Sequence, residues 1–351
     1  MSEQPTARPT PVRRGSSAPS IGDVARRAGV SQQTVSRVAN GSDAVRPATR
    51  DKVQLAMTEL GYTPNRAARA LRSGSFTTIG LIAHRLSRTG ESRTVEAVVA
   101  AARAEGYTVN LVDLEQATTS EVTAAAVRLE HQAIDGLVII RAEDATPETL
   151  ALAPGFPVVV ADSRFVGHLP SVGIDQAAGS TLVVDHLLDL GHRTVHHVRG
   201  PLDSGPGNQR ADAWREALLA RGAPVPEPVV GDWTMASGYA AGRAIIAAGA
   251  TAVYCANDEM AGGLLRAVHE AGLRVPQDLS VAGFDDIPMA EYLWPPLTTV
   301  HQNFAETGRT LVALLMRQIR DHEALEPRAH LIPATLVVRA STGAPPAAPR
   351  E

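Results

Sequence analysis

At 351 residues with 44% hydrophobic content, the chain can build two or three domains with full-sized cores, and no stretch reaches the ~18–20 consecutive apolar residues of a membrane span. One cysteine, Cys255, excludes an internal disulfide and a cysteine-based zinc cluster and fits a reducing cytoplasm; one lysine, Lys52, excludes a phosphate-binding loop ending in Gly-Lys-Ser/Thr. The net charge of −4 hides an asymmetry: residues 1–74 carry 12 basic against 5 acidic side chains, a net +7, and the remainder carries 21 against 32, a net −11. A basic end on an acidic body fits a nucleic-acid-binding headpiece, because phosphates attract the first and repel the second; the alternative is a basic solvated tail.

Residues 1–19 hold four prolines, no periodicity and no apolar signal segment, and read as a disordered tail. Ser20 then caps a helix carrying Val24, Ala25 and Ala28, and Gly29 permits a tight turn. Ser31 caps a second helix with Val35 and Val38 facing inward, which is helix-turn-helix spacing. A third helix starts at Pro47, places Val53, Ala56, Met57 and Leu60 on one stripe, and ends at Gly61. Residues 64–74 are good helix formers with few apolar anchors and a Gly-Ser exit, a helix that is marginal alone. From Thr77 the texture alternates: strands are predicted at 79–82, 107–111, 136–140 and 158–160, with helices at 95–105 and 121–130 between them. The cycle repeats with helices at 179–190, 208–220, 237–248, 260–270 and 307–320 around strands at 194–198, 252–255 and 280–283. Two parallel-sheet lobes follow, with a ligand cleft at the carboxyl ends of their strands.

The segments Ile21-Gly22-Asp23-Val24-Ala25, Val30-Ser31-Gln32-Gln33-Thr34-Val35-Ser36-Arg37-Val38-Ala39-Asn40 and Leu60-Gly61-Tyr62-Thr63-Pro64-Asn65 resemble the LacI/GalR family of bacterial transcription repressors. The likeness extends over 20–341 and is nearest in pattern to the lactose-responsive branch, through Gly231-Asp232-Trp233, Ala256-Asn257-Asp258-Glu259-Met260, Gly283-Phe284-Asp285-Asp286 and 295–304. It implies an all-α helix-turn-helix headpiece on an α/β two-lobed, periplasmic-binding-protein-like core of parallel sheets flanked by helices, the chain crossing between lobes three times. The expected organisation is a disordered tail at 1–19, a helix-turn-helix DNA-binding domain at 20–64 and a hinge helix and linker at 65–76. The core comprises an N-terminal effector subdomain of 77–174 with 304–331 and a C-terminal one of 175–303 with 332–342, before a disordered tail at 343–351.

In such a family the second helix lies in the major groove, so Gln32, Gln33 and Arg37 are expected to read base edges, with Ser31, Thr34, Ser36 and Asn40 at phosphates. Asn65, Ala68 and Leu71 are expected at the hinge, where paired helices approach through small residues and leucines wedge into the minor groove. Arg46 stands where the third helix would have a serine cap, a loss of about 1 kcal/mol that Pro47 partly offsets.

The family's inducer pocket matches Asp162, Arg210, Trp233, Asn257, Asp285, Gln302 and Phe304: carboxylates and amides for hydroxyls, an arginine fork, and aromatic walls. His84 replaces a small hydroxyl residue and Ile174 an aromatic, so pyranose contacts survive better than aglycone contacts. The resemblance therefore implies a cytoplasmic homodimeric repressor without enzymatic activity, cofactor or metal. It would bind a near-palindromic operator and be released by a small sugar, for which a galactoside is expected. One alternative is a family member responding to a different sugar or small metabolite, and three further rivals remain. Asp162 and Asp285 could pair as in a glycosidase, but no hydrolase, zinc-protease or dinucleotide motif stands out. A periplasmic sugar-binding protein leaves the headpiece unexplained and the signal segment missing. His192, His196 and His197 look like metal ligands until strand geometry puts the last two on opposite faces. A proline-rich end without leucine, 340–351, predicts a dimer rather than a heptad-built tetramer.

Overall fold

The computed structural model describes residues 19–39, 42–63, 74–115, 118–140, 150, 152–161 and 169–347, which fall into two compact units, Met1–Phe76 and Thr77–Glu351.

The first unit is three helices, α1 (Ile21–Ala28), α2 (Gln32–Ala39) and α3 (Pro47–Leu60). α1 starts on a reciprocal cap, Ser20 accepting from the Asp23 N–H while Asp23 accepts from the Ser20 N–H, and ends at Gly29 with φ 68°, a left-handed value that glycine adopts without strain. α3 begins at Pro47 after Arg46, whose side chain makes no capping bond, as expected. Val24, Val35, Val38, Val53 and Ala56 close a core that Ile21, Val30, Leu60 and Tyr62 flank, and Arg27 ties α1 to Glu59 of α3 at 2.6 Å. The expected hinge residues Asn65, Ala68 and Leu71, and Asn40, lie outside the described residues.

The second unit runs β1 (Thr78–His84), α4 (Thr89–Ala104), β2 (Thr108–Leu114), α5 (Thr119–His131), β3 (Gly136–Ile140), β4 (Val158–Ala161) and β5 (Ser171–Ile174). It continues with α6 (Gln176–Asp189), β6 (His196–Arg199), α7 (Gly205–Ala220), β7 (Val229–Val230), α8 (Met235–Ala247), β8 (Ala252–Cys255), α9 (Asp258–Glu270) and β9 (Ser280–Ala282). A 3₁₀ turn at Pro288–Tyr292 precedes β10 (Thr299–His301), α10 (Phe304–Arg320), β11 (Ala329–Ile332) and β12 (Thr335–Val337).

β11-β5-β4-β3-β1-β2 form one parallel sheet, β7-β6-β8-β9 a second, and β10 pairs antiparallel with β12. β1 is buried along its whole length, which is why 79–82 reads as an apolar run without alternation. The chain passes to the second sheet after β5, returns with α10, whose buried Leu311 and Leu315 join the core of the first, and leaves again after β11. One apolar cluster runs from Ile79 and Leu81 through Ile174 and Phe284 to Trp214 and Tyr254, uniting both lobes.

Helix starts differ most from the sequence reading: α4 begins at Thr89 rather than near 95, and α10 at Phe304 rather than 307, because Arg88 and Asn303 start turns that apolar periodicity does not mark. The short strands β5, β7, β10, β11 and β12 were not expected; at two to four residues they carry too little pattern to read. The stretch expected as a tail from 343 begins inside the fold, since Gly343 donates to Ser280 Oγ at 3.0 Å and accepts from it at 3.1 Å.

Candidate functional sites

On the first unit, α2 buries Val35 and Val38 and turns Gln32, Gln33 and Arg37 outward, with Thr34 and Ser36 half-buried. Ser31 is occupied as the helix cap: its Oγ accepts from the Thr34 N–H at 3.1 Å and shares a 3.0 Å hydrogen bond with the Thr34 hydroxyl. Gln32 lies along α1, its Nε2 3.3 Å from where a Cβ on Gly22 would stand. The exposed face is polar, cationic at Arg37 and set on a rigid capped helix, which is what groove recognition requires.

In the second unit, the carboxyl ends of both sheets meet a cleft. Its floor is a closed ring of four side chains. Arg210 of α7 donates through Nε to Gln176 Oε1 at 2.7 Å and through Nη1 to Asp285 Oδ1 at 3.3 Å; Gln176 donates to Gln302 Oε1 at 3.5 Å, and Gln302 completes the circuit by donating to Asp285. Arg210 also donates to the Ala256 carbonyl, and its guanidinium lies 3.8 Å from the centre of the Phe284 ring. All four ring members are less than a tenth exposed. Burial pushes the Asp285 carboxyl up to about 7, the Arg210 charge opposing that rise and the Glu259 charge adding to it.

Local chemistry explains why these residues sit there. Asn257 caps α9, its Oδ1 accepting from the Met260 N–H at 3.0 Å, while its Nδ2 holds the Trp233 carbonyl at 3.0 Å and Glu259 Oε2 at 2.6 Å. Trp233 is thereby fixed at φ 77°, and its ring fills the space beside Gly200, where a Cβ would stand 2.3 Å from Cζ2. Asp258 is wholly buried and pins the loop that carries Asp285, accepting from the Ile287 N–H at 2.9 Å and from the Thr299 hydroxyl. Gly283 is required at that point, because a Cβ there would stand 2.2 Å from Asp258 Oδ1. Burial, then the Asp285 charge, pushes the Asp258 carboxyl well above the ordinary carboxylate range.

Two compartments open over this floor. The smaller is lined by Trp233, Asn257, Asp285 and Arg210 from the second lobe and by Arg88 to Glu91 from the first. The larger takes Ile174, Phe304, Gln302 and Arg210 together with Ile140, Val172, Gln176, Thr94 and Thr307, and Glu91 borders both. Six of the expected effector residues, Arg210, Trp233, Asn257, Asp285, Gln302 and Phe304, thus converge with Ile174, while Asp162 lies outside the described residues. His84 is placed differently: it is buried at the end of β1 beside Leu114 and lines neither compartment. Sequence reasoning missed Gln176, Arg88 and Glu91; Arg88 precedes α4 and Glu91 lies in its first turn, a stretch read as loop, and nothing local marks any of them.

The histidines have structural partners. His192 bridges Thr251 at 2.9 Å, Ser280 at 3.1 Å and the Gly343 carbonyl at 3.0 Å. His197 stacks between Trp214 and Tyr254, with ring centres 5.1 and 4.7 Å away, and burial pulls its pKa down to about 3.

Residues 20–65 match the lacI family of bacterial regulatory proteins, and residues 184–342 match the periplasmic binding protein-like domain. The chain is 33% identical over 318 residues to the ribose operon repressor of Escherichia coli K12, covering 89% of this chain and 96% of that one, and 35% identical over 328 residues to the lactose operon repressor of the same strain, covering 92% and 90%. A crystal structure of the lac repressor dimer bound to operator and the anti-inducer ONPF superposes with a TM-score of 0.82 at 32% identity, covering 93% of this chain and all of that one. The chain belongs to the lacI family of bacterial transcription regulators; it is a repressor-type regulator and not an enzyme. Among the described residues no helix is long and apolar enough to cross a membrane.

Proposed function

We propose that the protein is a cytoplasmic homodimeric repressor that binds a near-palindromic operator through α2 and releases it when a neutral sugar, a galactoside first among candidates, occupies the cleft. The observation that carries the reading is the ring of Arg210, Gln176, Gln302 and Asp285 beneath Trp233, on a chain that also bears a helix-turn-helix unit. Sugar hydroxyls both donate and accept, and the ring offers both in a fixed geometry; the indole supplies a flat apolar wall for the C–H face of a pyranose. The smaller compartment is lined by both cations and carboxyl groups, Arg88 and Arg210 beside Glu91 and Asp285, the mixture of donors and acceptors that uncharged hydroxyls can pair with.

Induction requires the sugar to favour the relaxed core over the DNA-bound one, since equal affinity shifts nothing. The hinge segment, including Ala68 and Leu71, and Asp162 at the end of β4 retain their expected roles in this reading. The test is fluorescence anisotropy on the chain's own promoter DNA with and without a panel of galactosides, glucosides and pentoses. Specific binding at moderate salt, reversed by a galactoside, supports the proposal. Absence of specific binding removes the repressor reading, and release by another sugar alone removes the galactoside.

A further inference from the structure

Asn257 lines the smaller compartment, yet its amide has no proton left to donate. One Nδ2 proton goes to the Trp233 carbonyl at 3.0 Å and the other to Glu259 Oε2 at 2.6 Å, while Oδ1 accepts from the Met260 N–H at 3.0 Å. A carboxamide has two donor protons and two acceptor lone pairs, so one lone pair on Oδ1 is all that stays open to a ligand. A sugar oxygen that takes a proton from this buried amide must displace one of its two partners. The Trp233 carbonyl belongs to a backbone held at φ 77°, whereas Glu259 is a half-buried side chain on rotatable bonds, so Glu259 is the partner that can be exchanged.

The same carboxylate reaches the other lobe. Its Oε1 accepts from the hydroxyl of Thr89, the first residue of α4, 170 residues away in the chain. Glu259 itself lies in the first turn of α9. One side chain therefore joins a helix of the first sheet, a helix of the second and a residue of the ligand compartment. A ligand shifts a conformational equilibrium only through contacts that differ between the two states. The Thr89 to Glu259 bond is such a contact, because an oxygen that enters the place of Oε2 beside Asn257 moves the carboxylate, and Oε1 with it, away from Thr89.

We propose that Glu259 is a positioning residue for induction: it holds the Asn257 amide and fastens α4 to α9 in the operator-binding core, and an effector oxygen that takes the Asn257 proton displaces it and unfastens the lobes. The inference rests on the reading of the cleft as a sugar site. Glu259 acts through Asn257 and Thr89 and need not touch the ligand.

The experiment measures sugar affinity by isothermal titration with galactose, methyl β-galactoside, glucose and ribose, and operator affinity by fluorescence anisotropy on the chain's own promoter DNA. The full-length parent is compared with Thr89→Val, Glu259→Ala and Glu259→Gln. Valine keeps the shape of threonine without the hydroxyl, and alanine removes the carboxylate from both partners. Glutamine loses the charge but still accepts from Asn257 through Oε1 and donates to the Thr89 oxygen through Nε2. Thr89→Val and Glu259→Ala are expected to bind whichever sugar the parent binds about twofold to twelvefold tighter, the equivalent of one net hydrogen bond, and to hold operator correspondingly more weakly. Glu259→Gln is expected to stay close to the parent on both counts, and circular dichroism checks that each variant is folded. Sugar affinity that falls or stays parental in Thr89→Val and Glu259→Ala overturns this inference, as does tighter sugar binding with unchanged operator binding. A Glu259→Gln protein that matches Glu259→Ala also overturns it, since the charge and not the pair of hydrogen bonds would then be responsible. All three results leave the sugar reading standing, and binding of no sugar by parent or variants overturns both.

Discussion

Gly200→Ala tests whether the Trp233 wall is held in place by the backbone beside it. The added Cβ would stand 2.3 Å from Cζ2, 2.4 Å from Cη2 and 2.9 Å from Cε2 of the indole. Ordinary contact begins near 3.4 Å, so the ring must recede by roughly 1.1 Å. It cannot follow by moving its backbone, because Asn257 Nδ2 holds the Trp233 carbonyl at 3.0 Å and the residue already occupies φ 77°. The ring therefore tilts, into the compartment that would take the sugar. Overpacking of this kind costs about 1–3 kcal/mol, and a stacking surface tilted out of register loses about 0.5–1.5 kcal/mol of ligand binding. The expected outcome is a sugar affinity reduced about twofold to twelvefold, with an altered near-ultraviolet dichroism of Trp233 and a lower denaturation midpoint. Titration of the parent, Gly200→Ala and Trp233→Phe would measure this. A Gly200→Ala protein with parental dichroism and parental affinity would refute the argument that the missing Cβ seats the indole.

Three further outcomes are expected. Arg210→Met removes the cation from the buried floor and leaves the Asp285 carboxylate uncompensated, destabilising the second unit by about 3–5 kcal/mol at pH 8 in urea melts; because burial already raises the Asp285 pKa to about 7, protonation at pH 5 should shrink the deficit, and a pH-independent deficit would sink the reading. For His197, the folded pKa lies near 3 and below the unfolded value of 6.5, so the unfolded chain binds the extra proton; stability present above pH 6.5 is lost on acidification toward 3, by at most ~1.4 kcal/mol per pH unit, and His197→Phe should flatten that slope relative to the parent. If Arg37 reads a base as proposed, Arg37→Ala should weaken operator binding far more than binding to random DNA, since a base contact is worth about 1–3 kcal/mol and only one charge is lost; equal losses on both, read by anisotropy at several salt concentrations, would exclude base reading.

The headpiece was legible in the sequence because its determinants are local. A capping serine with an acid three residues on, a glycine able to take φ 68°, and valines at helical spacing specify α1 and α2 without reference to distant residues. The same holds for the long buried strands, whose apolar runs mark them directly. The motifs around Trp233, Asn257 and Asp285 marked the cleft, although the reasons those positions work lie elsewhere: Gly200 for Trp233, and Asp258 for the loop bearing Asp285.

Tertiary structure alone decided the rest. Gln176 joins Arg210 across 34 residues and Gln302 across 126, and no pattern along the chain announces a hydrogen bond at such a separation. His84 matched by position yet is buried at the carboxyl end of β1 and lines neither compartment, because that strand is buried along its whole length. Glu91 looks in sequence like an ordinary acid near a helix start, where exposure is the rule; only the fold buries it at the meeting of two compartments. Local geometry is written in short-range spacing, whereas the polarity of a cleft depends on which distant side chains remain uncommitted after folding, and that is decided when the lobes meet.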